Sequence, residues 1–421
     1  MHKKSLLSVL SLALIFQFFC GCSAKTQEKR LVIWTDSRET APYLEIYNRN
    51  HKDKVVLVYK ENLASSLPPA RDEFQPDIII GNWLKNSKLK KTFEPLNFLF
   101  ERKYISSSYF YSSLLEAGKI KHSQYLLPVC FNLPAIIFSR ENTLQVENSY
   151  TISLDQLRKS GAEFNRVNKN GAYTSIGFAP QSSRDFLFTV SQMKGANFRE
   201  EKNGSLQWNQ ENLQKAISFL NQWITEENSS PQVESDFVYK YLSVTDDKRV
   251  TGGRTLFAYT TSDRLFQMTP EQLSKIDFRW LEYENFIPVD DSIKMLGVYK
   301  KSPKQAEAAD FIATFFDSEM QRQFLERKTK ISADNRGFGF FGGFSTVRDV
   351  TEHVLPGYYT TLLSNIPEAG TLRVYSKKPV SWERLKERVV IPYIEESVAA
   401  VPGKKVQTVQ ERYEDLKKLG Y

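Results

Sequence analysis

Short apolar runs alternate along this chain with stretches whose apolar residues recur at helical spacing. Residues 31–34 are continuously apolar, as are the β-branched run Val55–Tyr59 and the core of Pro76-Asp77-Ile78-Ile79-Ile80-Gly81. Between the first two runs, residues 35–40 are polar and supply helix caps, with Pro42 tolerated in a first turn. Tyr43, Leu44, Ile46 and Tyr47 then repeat with the spacing of one helix face. A strand buried on both faces reads as an unbroken apolar run. The rhythm therefore predicts βαβ units and mostly parallel sheets covered by helices on both faces.

A second α/β series starts near residue 135. Asn209 is placed to cap a helix with Leu213, Ala216, Ile217, Leu220 and Ile224 on one face. Ser302-Pro303 is placed to cap another, carrying Ala309, Ile312, Ala313, Phe316 and Met320. Ser381 opens a third, with Trp382, Leu385 and Val389 inward and a bend at Pro392. Val406, Val409, Tyr413 and Leu416 mark a terminal helix. No internal repeat or long low-complexity segment occurs. Two series without a large linker predict two lobes that share one chain through crossings.

The N-terminus has a different pattern. His2, Lys3 and Lys4 precede a mostly apolar run, 6–19, shorter than the roughly 20 residues that span a bilayer. Phe19-Cys20-Gly21-Cys22-Ser23 follows. A small residue before a cysteine is the end of a bacterial lipoprotein signal. Gly21 meets that need for Cys22, whereas bulky Phe19 precedes Cys20. Residues 1–21 are accordingly read as a signal peptide, Cys22 as the lipidated residue and 22–30 as a polar tether. No later segment is apolar and long enough to cross a bilayer, so the expectation is an exported protein anchored to a membrane, facing the periplasm or cell exterior.

Composition narrows the chemistry. The 57 Lys+Arg and 49 Asp+Glu leave a charge of +8 without the clustering that nucleic-acid binding needs. Of the three cysteines, signal cleavage leaves Cys22 and Cys130, so no internal disulfide is expected. Cys130 lies in the apolar run Leu126-Leu127-Pro128-Val129-Cys130-Phe131 and reads as a small buried hydrophobe. His51, His122 and His353 are scattered, and no metal or cofactor is implied. Gly337-Phe338-Gly339-Phe340-Phe341-Gly342 matches G-x-G-x-x-G, but a polar segment precedes it and Gly343-Phe344-Ser345 follows. A dinucleotide site needs a strand before and a helix after. The segment is either a loop presenting aromatic faces or a tight turn packing them inward. No nucleophile–base pairing or local carboxylate couple marks an enzyme.

The chain resembles the extracellular solute-binding lipoproteins of ABC importers, in the sugar-binding group that includes maltose-binding proteins. The resemblance rests on Leu31-Val32-Ile33-Trp34-Thr35-Asp36, on Tyr47-Asn48-Arg49-Asn50-His51 and on Pro76 through Trp83. It continues in Gln124 through Phe138, in Gly253-Arg254-Thr255-Leu256-Phe257-Ala258 and in Ser302 through Ile312. It implies a two-lobed periplasmic-binding-protein fold (type II), with 31–133 and 286–332 in lobe 1 and 134–285 and 333–421 in lobe 2. It also implies a monomeric, non-enzymatic receptor that passes a small solute to an importer permease.

In open α/β sheets ligands sit beyond the carboxyl ends of strands. A sugar needs an aromatic face for its C–H surface and polar groups for its hydroxyls. Trp34 and Trp83 are the candidate faces. Asp36, Arg38, Asn82 and Asn132 are the polar candidates from lobe 1. Arg184, Tyr259, Asp263 and Tyr283 are the candidates from lobe 2. Asp36 has a rival role as cap of the helix behind it, and Arg184 beside Asp185 one as a solvated pair. A carbohydrate is the expected solute. Arg38, Arg184, Arg254 and Arg264 keep an anionic solute open, such as glycerol phosphate or a sugar phosphate. A sensor or adhesin role and an exported hydrolase stay open as competing functions.

Overall fold

The computed structural model describes residues 30–421 apart from 202–204, 332–336, 376–377, 402, 404 and 420–421. The expected signal peptide and Cys22 lie outside the described residues. Two sheets organise the chain. The first contains Leu31–Thr35 (β1), Val55–Tyr59 (β2), Ile78–Asn82 (β3), Leu127–Phe131 (β4), Lys294–Val298 (β10) and Phe344–Ser345 (β11), in the order β11-β4-β10-β3-β1-β2. The second contains Pro134–Ser139 (β5), Thr151–Ser153 (β6), Phe257–Thr261 (β7) and Ile276–Glu282 (β8), in the order β7-β5-β8-β6.

The α/β architecture matches the sequence pattern, but the sheets are more mixed than the βαβ rhythm predicts. β1 runs parallel to β2 and β3, because the helix Thr40–Asn50 (α1) carries the chain back between β1 and β2. β10 is antiparallel to β3 and β4, and β11 to β4. β10 enters from the other lobe through β9 rather than over a covering helix, so the crossover rule for parallel pairing does not act on it.

Strand alternation builds two cores from one sheet. Along β5, Ala135 and Ile137 point into the first-lobe cluster, while Ile136 and Phe138 point into the second. The second core is closed by Arg184–Met193 (α2), Gln210–Glu227 (α3) and a bent rod of three pieces. The pieces are Trp382–Leu385, a π turn Lys386–Val390 and Ile391–Val398. The π turn sits just before Pro392, where the ring displaces the preceding turn. Asn209 caps α3 as expected, its Oδ1 accepting from the Asn212 N–H at 3.0 Å. Ser302 does not cap the helix after it. Its hydroxyl donates to buried Asp77 at 2.6 Å.

Three crossings join the lobes. Asn132-Leu133 links β4 to β5. The segment after β8 passes through Ile287–Pro288 (β9) to β10, and Leu372–Arg373 (β12), paired parallel to β9, leads toward Trp382. The last crossing corrects the expected boundary at 333. β11 pairs with β4 in the first sheet, and Phe338, Phe340, Phe341, Phe344, Val347, Val350 and Leu355 share one cluster with that sheet's residues, a cluster that also takes in Phe266 and Trp280 from the second lobe. The reason is the Gly/Phe segment. Phe340 and Phe341 pack at about 5–6 Å, ring centre to ring centre, on Tyr43, Phe315 and Phe324. Phe338 stacks on Phe266 at 4.6 Å. All four phenylalanines are buried, so the segment is a core turn and presents no ring to a ligand. Cys130 is buried beneath it. Its thiol donates to the Phe341 carbonyl at 3.3 Å, and burial pushes its pKa up to about 11. Among the described residues, no helix is long and apolar enough to cross a membrane.

Candidate functional site

A cavity of about 330 Å³ opens between the lobes, and a second of about 250 Å³ adjoins it. Trp83, Glu383 and Glu387 line both. Four of the residues singled out in the sequence meet in the larger cavity: Trp83, Asn132, Tyr259 and Asp263. Asp36 and Asn82 line the smaller one.

Trp83 follows β3 with its backbone in the left-handed region, at φ +52°. Its indole N–H donates to the Asp291 carbonyl at 2.9 Å, which fixes the ring against the second crossing. Asp36 does not cap α1. Its Oδ2 accepts from the Asn82 N–H at 3.1 Å, tying the ends of β1 and β3 together. Its Oδ1 is buried without a donor, as is Oδ1 of Asn82. Burial raises the Asp36 pKa, against the lowering by the Asn82 N–H and Lys294. Asn132 spends its amide on the scaffold. It donates to the Gly342 carbonyl at 2.9 Å and accepts from the Ser262 hydroxyl at 2.6 Å. The Tyr259 hydroxyl lies 3.0 Å from Thr189 Oγ1.

The remaining four candidates lie elsewhere. Trp34 is 1% exposed, because β1 is buried along its whole length. Its indole donates to the Phe74 carbonyl at 3.0 Å, and Lys60 sits 4.3 Å above the ring, so it is a core residue and not a ligand face. Arg38 is exposed and lines neither cavity. Arg184 points to Glu395 at 3.0 Å and Glu387 at 3.5 Å, not to Asp185, whose partner is Arg264 at 2.7 Å. Tyr283 packs on the second core beneath Lys194, away from both cavities.

Several cleft residues do not stand out in the sequence. Asp185, Phe188, Thr189 and Gln192 form one stripe of α2, with the spacing i, i+3, i+4, i+7. The polar members of that stripe, on a helix that is apolar at Phe186, Leu187, Val190 and Met193, are the signal that points to it. Gln192 is 3% exposed, yet neither end of its amide has a partner. Asp290-Asp291-Ser292 lies in the second crossing. Asp291 accepts from Lys386 at 2.9 Å and from the Trp382 indole at 2.5 Å. Burial works against the charge of each partner. The two aspartates nonetheless hold Lys386 above the usual lysine range, and Lys386 with Lys378 holds Asp291 below the carboxylate range. Burial and the charge of Asp291 push Asp290 the other way, upward. Among the described residues, no group of three or more His, Cys, Asp and Glu could hold a metal ion.

No family model matches the sequence, and no curated protein does. Solved structures do match the fold. The sugar-binding protein MalE from Xanthomonas citri aligns with a TM-score of 0.63 and 13% identity, over 93% of this chain and 96% of that one. A cyclic α-maltosyl-1,6-maltose binding protein from Arthrobacter globiformis gives 0.58 and 14%, over 92% and 97%. An ABC substrate-binding protein from Listeria monocytogenes, solved with cycloalternan, gives 0.53 and 14%, over 93% and 99%. The chain has the two-lobed fold of these binding proteins across nearly their whole lengths.

Proposed function

We propose that the protein is a non-enzymatic receptor that captures a carbohydrate between its lobes and delivers it to the permease of an ABC importer. The observation that carries this reading is the composition of the larger cavity. Trp83, Phe188, Tyr259 and the partnerless amide of Gln192 line it together, and Trp83 packs against the second core that holds Phe188 and Tyr259. Aromatic faces match the C–H surface of a sugar, and a buried amide with both ends free matches a hydroxyl that donates and accepts. The neighbours of the same fold include a maltose-type receptor and a cycloalternan complex, which supports the choice of solute class. Export, a lipid at Cys22 and action as a monomer complete the proposal.

The placement of the four arginines singled out in the sequence disfavours an anionic solute in the larger cavity, while Arg384 and Arg388 line the smaller one. Arg38 and Arg254 line neither cavity, Arg184 is held by two glutamates and Arg264 by Asp185. The test is a thermal-shift panel of sugars, polyols, sugar phosphates and amino acids on the purified protein. A sugar at 100 times its Kd should add about 2.7 kcal/mol of stability. Replacing Trp83 by alanine should weaken binding of that sugar by about 2 kcal/mol or more, as loss of a buried aromatic anchor does. A panel without any sugar response rejects the reading.

A further inference from the structure

We infer that the solute is positively charged: resting on the receptor reading above, the cleft fits an amine-bearing saccharide. Three observations lead there. The first is charge. On a protein of net charge +8, the residues lining the two cavities include eight carboxylates and four cations. In the larger cavity both cations are already committed, Lys386 to Asp291 and Arg264 to Asp185. The side chains of Asp263 and Glu383 have no ion pair or hydrogen bond among the described residues.

The second observation is placement. Asp36 stands on the first lobe and Glu383 on the rod of the second, both on the smaller cavity. The Oδ1 of Asp36 is buried without a donor; Lys294 favours its charge and Glu383 opposes it, and Arg384 and Arg388 line the same cavity. Like charges on opposite walls resist approach of the lobes. A cation between them turns that repulsion into two attractions, and a neutral solute leaves it in place. An anion would add to it.

The third is Gln192. A side chain so deeply buried, with neither amide end satisfied, is costly unless something arrives to pair with it. Its donor and acceptor suit a hydroxyl. Hydroxyl recognition at Gln192, together with carboxylates that outnumber the cations around the two cavities, describes one molecule carrying both hydroxyls and an ammonium group.

Isothermal titration at mildly acidic pH tests this with three probes: a chitosan-derived glucosamine trisaccharide, its fully N-acetylated counterpart and maltotriose. The free amine should bind about tenfold or more tighter than the acetylated form, as a charge-assisted contact requires. Added salt should shrink that ratio. Glu383→Gln and Asp36→Asn should each bring it toward one, and the wild-type comparison stands even if a variant does not fold. Equal or tighter binding of the acetylated or neutral trisaccharide overturns the inference and leaves the receptor reading intact. An amine advantage that survives both substitutions also overturns it. No heat with any of the three, together with a silent sugar panel, removes the receptor reading and this inference with it.

Discussion

Glu234 shows how a single buried side chain sets a pH response. It is fully buried, with its two oxygens accepting from the Gln181 N–H at 2.7 Å and the Asn228 amide at 2.6 Å. Those bonds favour the carboxylate, but burial outweighs them and raises the group from 4.5 to about 7. Between these values the folded chain holds a proton that the unfolded chain has released. Stability is therefore fully present below about pH 4.5 and falls as pH climbs through 7. The loss is on the order of 3 kcal/mol. In melts from pH 5 to 8, the wild type should lose stability relative to Glu234→Gln as pH rises. Parallel curves would show that the carboxyl ionises without penalty.

At the scale of elements, the Gly/Phe turn is a segment whose geometry tolerates little change. Gly339 has φ +52°, and a Cβ there would lie 2.2 Å from the Gly343 carbonyl oxygen. Both the backbone conformation and the space exclude a side chain. Gly339→Ala should cost roughly 2–3 kcal/mol in chemical denaturation. A cost near zero would mean the turn rearranges freely. The same turn shows what a sequence can convey. Its aromatic–glycine composition marks it as special, but its destination depends on Tyr43, Phe266 and Phe315, which are remote in sequence. The strands β1 to β3 and helix α3 are legible because periodicity and caps are local properties. Trp34 is misassigned from the pattern because its strand runs one residue further, to Thr35, and keeps the indole inside. Trp83 and Asp36 are legible because they follow strand ends. Gln192 and Asp291 are not, because their meaning arises only when α2, the second crossing and the bent rod converge.

Across the whole molecule, Asp291 is where the lobes are fastened. Its carbonyl receives Trp83 from the first lobe, and its carboxylate receives Lys386 and Trp382 from the second. Asp291→Ala would leave the Lys386 ammonium without its ion-pair partner. Removing one member of a buried pair costs about 3–5 kcal/mol. Urea unfolding should show that loss, and should show it whether or not a sugar is present. A smaller loss confined to sugar-loaded protein would place Asp291 in ligand contact instead.

The position of Cys130 has a consequence for following such motions. Its sulfur is roofed by the Phe341 carbonyl, and the Gly/Phe turn above it touches side chains of both lobes. A thiol reagent reaches that sulfur only when the turn lifts away, and rocking of the lobes about intact crossings does not lift it. Slow modification of this one thiol is thus a clock for loss of the shared core, silent during the opening and closing that a receptor performs.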